Sequence, residues 1–306
     1  MYNGIINVYK EAGFTSFDVV AKLRGILKQK KIGHTGTLDP DAVGVLPVCL
    51  GKGTKLCDML TDKNKEYKAV LLFGKNTDTE DVSGKVLEEM SFDDMQNILT
   101  DDKVKDAIMS FVGEYSQIPP MYSAIKVNGK KLYELAREGV TIERKPREVF
   151  IYSIDIEKIE FPRVYFTVKC SKGTYIRSLC RDIAEKLSVC GCMEKLTRTN
   201  VSIFNIEDSL TLSKIEELVK SNEISSYIKK IDEVFDDCEK IYVKPQFTKL
   251  AHNGNGLAIA MVSDFKKASD GLRFRVYDAE GSFIGIYQFE EKENKLRMVK
   301  MFYDLS

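Results

Sequence analysis

The stretch Gly33-His34-Thr35-Gly36-Thr37-Leu38-Asp39-Pro40 decides how this chain is read. A carboxylate stands between a leucine and a proline, just after two glycines and one of the two histidines in the protein. Glycine lets the backbone take positive φ and lets a ligand come close. Pro40 fixes its own φ and drives Asp39 toward an extended or turn conformation. Asp39 is therefore expected on a short, stiff loop, as a positioned reactive group should be. A lone Asp-Pro is ordinarily just a turn. The company this one keeps argues for more.

The segment runs on as Asp41-Ala42-Val43-Gly44-Val45-Leu46-Pro47-Val48-Cys49-Leu50-Gly51-Lys52-Gly53-Thr54-Lys55. Ahead of it lies Asn7-Val8-Tyr9-Lys10-Glu11-Ala12-Gly13-Phe14-Thr15-Ser16. Behind it come Glu66-Tyr67-Lys68 and Gly74-Lys75-Asn76-Thr77-Asp78-Thr79. Pro119-Pro120-Met121-Tyr122-Ser123-Ala124-Ile125-Lys126-Val127-Asn128-Gly129-Lys130 and Cys170-Ser171-Lys172-Gly173-Thr174-Tyr175-Ile176-Arg177 follow. In order and spacing these resemble the motifs of the tRNA pseudouridine synthase B (TruB) family, over most of the first two hundred residues. Tyr9 and Glu11 depart from the family's Asp-Lys-Pro-x-Gly-x-Thr-Ser signature, whereas Lys10, Gly13, Thr15 and Ser16 match it.

The resemblance implies an α+β pseudouridine synthase fold: a mixed, mainly antiparallel central sheet flanked by helices, then a small C-terminal β-rich domain of the PUA type. The expected division is a catalytic domain over 1–240 and an RNA-binding domain over 241–306. An RNA-gripping insertion at about 122–148 includes the basic, glycine-containing stretch Lys126 to Arg147. The implied substrate is tRNA, at the T-arm loop uridine (position 55), modified by a cytoplasmic monomer with no obligate protein partner. Asp39 would be the catalytic nucleophile or base and Arg177 the active-site arginine. Tyr67 would stack on the target base, with Tyr175 and Leu196 lining the same pocket and His34 associated with the vacated stack. Lys10 and Lys55 would be supporting or phosphate-contacting cations. Two other readings remain open, a guide-RNA-dependent synthase of the Cbf5/dyskerin kind and a non-catalytic tRNA-binding or folding module.

The chemistry so implied detaches uracil from its ribose carbon and rejoins it through a ring carbon, with no net redox change. In principle it requires no cofactor and no metal. It does require an ionised carboxylate in a dry pocket, where desolvation favours the protonated form. A guanidinium paired with the carboxylate offsets that tendency and fixes its orientation. Flipping the target base costs a few kcal/mol, and stacking on an aromatic ring returns roughly 1–3 kcal/mol.

The apolar and charged fractions are those of a soluble globular protein. At 306 residues the chain has room for about two domains. No apolar run approaches the roughly 20 residues that span a bilayer, and no secretory signal is evident. Seven scattered cysteines suit reduced thiols. Cys190-Gly191-Cys192 lacks zinc spacing, so no metal site is expected. A formal net charge of zero argues against indiscriminate coating of nucleic acid. Arg163 to Arg198 is nevertheless rich in cations, and an electrostatic footprint for phosphates is expected there. Gly51-Lys52-Gly53-Thr54 lacks the spacing of a phosphate loop, and Asp78-Thr79-Glu80-Asp81 lacks that of a calcium loop; both read as turns.

Local patterns supply the elements. Thr15 and Asp18 form a capping-box pattern opening a helix with Phe17, Val20, Ala21, Ile26 and Leu27. Tyr67 to Phe73 reads as a strand, and Ser91 opens a helix with Asp93 and Asp94 in its first turn. Val164 to Cys170 alternates as a half-buried strand and leads into a helix that buries Ile176, Leu179, Cys180, Ile183 and Leu187. Arg177 falls in that helix's first turn, where the dipole disfavours a cation, so an anionic partner is expected. Ser209 to Glu239 reads as helix plus connection. Short strands then follow at Leu257 to Val262, Leu272 to Tyr277, Phe283 to Phe289 and Leu296 to Phe302, with a hairpin turn at Asp278-Ala279-Glu280-Gly281.

Overall fold

A computed structural model describes residues 1–266 and 268–303; the end of the expected C-terminal unit, 304–306, lies outside the described residues. The expected α+β class is what the structure shows. Its central sheet orders Ile228–Lys229, Gly4–Lys10, Val43–Leu50, Gly191–Val201, Lys65–Phe73, Arg163–Cys170, Arg147–Glu160 and Gly113–Gln117. Ile32–His34 and Phe204–Asn205 pair alongside it. Every pairing is antiparallel except one, the short parallel contact of Val43 and Gly44 with Thr197 and Arg198. There the backbones nearly touch. A Cβ on Gly44, whose φ is +106°, would stand 2.2 Å from the Arg198 carbonyl oxygen, so only glycine fits.

Helices cover the sheet because their apolar positions repeat on one side. Val19, Val20 and Leu23 of helix Ser16–Ile26 join Ile215 and Leu218 of helix Leu212–Lys220 over Ile6, Val8, Leu46 and Val48. The predicted capping box is present, with Thr15 and Asp18 bonding reciprocally. Farther along the sheet, Ile176, Leu179, Cys180 and Ile183 of helix Ile176–Lys186 pack on Leu71, Phe166 and Val168. Val164, Phe166, Val168 and Cys170 are buried in alternation, as their spacing predicts. The helix opened by Ser91 is short, Phe92–Met95, and a second begins at Asp101.

The second sheet orders Leu257–Ala258, Lys295–Met301, Phe283–Glu290, Arg273–Tyr277, Glu239–Val243 and Val262–Ser263. The expected continuous strand Leu257 to Val262 is therefore corrected. Ile259–Met261 forms a 3-10 turn, and the flanking pieces are the two opposite edges of one sheet. Six strands laid flat would put those edges roughly 24 Å apart, whereas four residue steps reach about 14 Å. The sheet must curl almost closed. Gly281 has φ +84° and the Asp278 carboxylate accepts the amides of Glu280 and Ser282, which makes the predicted hairpin turn. This unit is not a loose appendage, because Ile286 and Phe302 share a core with Ile5, Val45 and Cys49 on the underside of the first sheet.

Candidate active site

Asp39 lies between strand Ile32–His34 and strand Val43–Leu50, on a loop held from three sides. From the N-terminal motif, Lys10 Nζ donates to the Pro40 carbonyl at 2.8 Å and the Gly13 amide to the same oxygen at 3.1 Å. The Leu38 amide donates to Ser16 Oγ at 2.9 Å. From below, Arg198, 1 % exposed, donates through Nε to the Val45 carbonyl at 2.7 Å and reaches the Gly36 and Thr37 carbonyls at 3.4 Å. Lys10, Gly13 and Ser16 of the N-terminal motif thus each hold the loop, while Thr15 caps the helix that begins with Ser16. The departures do not: Glu11 offers Lys10 only its carbonyl, and the Tyr9 amide bonds Leu210.

The third hold is on the carboxylate itself. Arg177 Nε donates to Asp39 Oδ2 at 2.9 Å and Nη2 to Oδ1 at 3.2 Å. This is the forked, charge-assisted geometry that fixes a carboxylate in both position and plane. Two of the three remaining guanidinium protons go to the Thr79 carbonyl at 2.7 Å and the Tyr122 carbonyl at 2.9 Å, and Asp81 Oδ2 lies 3.8 Å from Nε. Asp39 is the anionic partner that a first-turn arginine calls for. The Arg177 side chain is 5 % exposed and that of Asp39 37 %. The cation is sealed behind and the carboxylate faces outward.

Apolar side chains adjoin this pair, Leu38 next to Asp39 and Ile176 next to Arg177. Tyr67 and Leu196 are buried in one cluster with Leu38, Ala42 and Ile176. Burial pushes the Tyr67 phenol up, partly opposed by the Arg198 guanidinium, so the ring keeps its proton near neutrality. Tyr175 immediately precedes helix Ile176–Lys186, half-buried, its phenol also raised by burial. His34 ends its strand with Nδ1 accepting the Gly36 amide at 3.4 Å, and burial lowers its imidazole, which favours the neutral form. Lys10 is fully buried and its ammonium is lowered to about 8 by burial, against the opposing charges of Asp41 and Asp39. Lys10 thus contacts the loop's backbone rather than a surface phosphate. Lys55 sits on the 3-10 turn Gly51–Leu56, at the other end of strand Val43–Leu50 from Asp39.

Other groups were not legible as site residues. The turn at Asp78 to Asp81 is a turn as expected, yet it also holds the arginine helix. Thr79 accepts from Arg177, and the Glu80 carboxylate accepts from Ser178 Oγ at 2.6 Å and from Arg181. Several cations of the stretch Arg163 to Arg198, where a phosphate footprint is expected, already have partners in the fold. Arg163 forks onto Glu194, Arg181 bridges Glu80 and Asp182, Lys172 meets Asp62, and Arg198 is buried under the loop. These cations are engaged within the fold, whereas Lys169, Lys186 and Lys195 of the same stretch stay exposed. A cavity of about 730 Å³ between Tyr122, Ala136 and Arg144 on one side and Glu80 and Arg181 on the other lies apart from Asp39. Its arginines are already bonded, Arg144 to the Pro119 carbonyl and Arg181 to Glu80.

Known proteins resemble this chain in sequence and fold. Residues 24–176 match the TruB family pseudouridylate synthase N-terminal domain, and residues 177–241 the tRNA pseudouridylate synthase B C-terminal domain. A protein of Lachnoclostridium phytofermentans named tRNA pseudouridine synthase B is 55 % identical, covering 98 % of this chain and 99 % of its own length. Its namesake in Clostridium perfringens is 46 % identical over 96 % of this chain and 97 % of its own. Among solved structures, a chain from an H/ACA RNP bound to a substrate RNA containing 2'-deoxyuridine superposes with TM-score 0.72 at 25 % identity, covering 98 % of this chain and 85 % of that one. A chain of a Cbf5-Nop10-Gar1 complex gives 0.72 at 27 %, covering 98 % and 84 %. With a carboxylate, an arginine and an aromatic wall in place and family matches running from residue 24 to 241, the chain belongs to the TruB family of pseudouridylate synthases, which are isomerases.

Proposed function

We propose that this enzyme converts the T-arm loop uridine of tRNA, position 55, into pseudouridine, with Asp39 as nucleophile or base. The observation that carries this reading is the forked Arg177–Asp39 contact, with the carboxylate turned outward and the guanidinium sealed behind it. The flipped uridine enters between Tyr67, Tyr175 and Leu196, where stacking offsets the cost of leaving the RNA helix. Beside Asp39 the bond from N1 to the ribose C1′ breaks and the base rotates in the apolar pocket. A bond from C5 to C1′ then forms, the C5 proton leaves to solvent and N1 ends protonated. Atoms and electrons balance within the one nucleotide. His34 stands beside the loop, where it takes the space left in the RNA stack.

In this reading residues 1–240 form the catalytic unit, with the insertion at about 122–148 gripping the RNA arm, and 241–306 form a PUA-like unit that adds RNA contact. The enzyme acts as a cytoplasmic monomer; seven free thiols support a reducing compartment. The test is tritium release from tRNA labelled at uracil C5, using purified protein with no added RNA or protein. Release is expected from whole tRNA and from the isolated T-arm stem-loop. Release only after a guide RNA is added would instead favour a guided synthase like the structurally similar Cbf5 chains. Activity on whole tRNA but none on the stem-loop would contradict recognition of the T-arm alone.

A further inference from the structure

The segment 117–123 leaves the edge strand Gly113–Gln117, enters the insertion, and is bonded at four points to the helix that carries Arg177. The Gln117 amide nitrogen donates to the Tyr175 carbonyl at 2.9 Å, while its oxygen accepts the Tyr175 amide at 2.8 Å. Arg181 donates to the Ile118 carbonyl at 3.3 Å and Arg177 to the Tyr122 carbonyl at 2.9 Å. Gln117 is 1 % exposed, and Tyr175 has no side-chain cap. The Gln117 side-chain amide thus satisfies the Tyr175 amide, an orphan donor at the start of a helix, and adds a second bond to the Tyr175 carbonyl, which already accepts from the Leu179 amide. It also fixes the peptide two residues before Arg177.

The geometry points to Gln117 as a positioning residue for the isomerisation: by clamping the Tyr175 peptide it sets the first turn of the helix, and with it the fork of Arg177 on Asp39. Gln117 is buried and bonds the backbone of Tyr175 rather than Asp39, so its effect falls on the rate rather than on RNA affinity. The same clamp joins the root of the insertion to the carboxylate, so that RNA held by the insertion bears on Asp39 through Tyr175 and Arg177. The inference rests on Asp39 being the reacting group.

Two variants test it. Gln117→Met keeps the volume and removes both hydrogen bonds. It is expected to lower kcat about tenfold or more, as small misplacements of reacting groups do, with KM for tRNA within about twofold. Gln117→Glu supplies the sharper readout. A protonated carboxyl presents one donor and one acceptor, as the amide does, whereas a carboxylate presents acceptors only. Burial favours the protonated form. The groups around position 117 are Tyr115, Arg147, Tyr175, Arg177, Arg181 and Asp182. Wild type shares all of them, so the ratio of variant to wild-type kcat isolates the new carboxyl. That ratio is expected to rise as pH falls from 8 to 6. A ratio flat with pH, or a Gln117→Met enzyme with unchanged kcat, would overturn the inference while an inactive Asp39→Asn enzyme left the role of Asp39 standing.

Discussion

At the residue scale, the site depends on which nitrogen meets which oxygen. Arg177→Lys keeps the charge but loses the fork, since a lysine ammonium is a point donor. We expect kcat to fall about a hundredfold with tRNA affinity within a few-fold, measured by single-turnover tritium release and filter binding. A matched loss of affinity would mean that the arginine binds RNA instead. Lys10 gives a pH signature. A lysine held near 8, against its ordinary 10.5, binds fewer protons folded than unfolded between those values. Its share of stability is therefore flat below pH 8 and rises with pH up to about 10.5, by about 3 kcal/mol. The stability of wild type minus that of Lys10→Met, from urea unfolding, should grow across this window. A difference that stays constant from pH 7 to 10 would contradict the buried, perturbed ammonium.

At the element scale, what could be read ahead was what repeats or caps. The strand through Tyr67 and the alternating strand before Arg177 follow from local periodicity, and helix Ser16–Ile26 from its cap, although its buried side is Val19, Val20 and Leu23 while the expected Phe17 and Ala21 are exposed. The split of Leu257 to Val262 was not legible, because the run is apolar throughout with no Gly or Pro to break it, and only the curl of the sheet interrupts it. Asp39 stood out through its loop chemistry and its resemblance to a known motif. Arg198 and Gln117 did not, since their partners are backbone groups about 150 and 60 residues away and a carbonyl leaves no mark in a sequence. Two glycines show how context sets sign. Gly25 lies in the first helix with nothing within 4 Å of a built Cβ, so Gly25→Ala should stabilise by about 0.5–1 kcal/mol. Gly44→Ala drives a Cβ into the Arg198 carbonyl at positive φ and should cost about 3 kcal/mol. Denaturant midpoints moving in the same direction for both would contradict this crossing of strands.

At the scale of the whole molecule, the two sheets share a core. Phe302, 3 % exposed, packs with Phe235 and Phe283 beneath Ile5 and Val45. Phe302→Ala should cost about 3–5 kcal/mol, and both sheets should melt in one transition by calorimetry. Two separated transitions would mean that the C-terminal unit is tethered rather than docked. The charge pattern is sorted only at this scale. The arginines from Arg163 to Arg198 are distributed by the fold to Glu194, Asp39, Glu80 and buried carbonyls, while Lys169, Lys186 and Lys195 stay exposed, a partition invisible along the chain. The claim on which the account turns is that the outward carboxylate of Asp39 is the reacting group. Its most direct test is single-turnover tritium release by Asp39→Asn at saturating tRNA. The account predicts no release with tRNA affinity within about tenfold of wild type, because the amide preserves shape and removes the charge. Turnover comparable to wild type would contradict it.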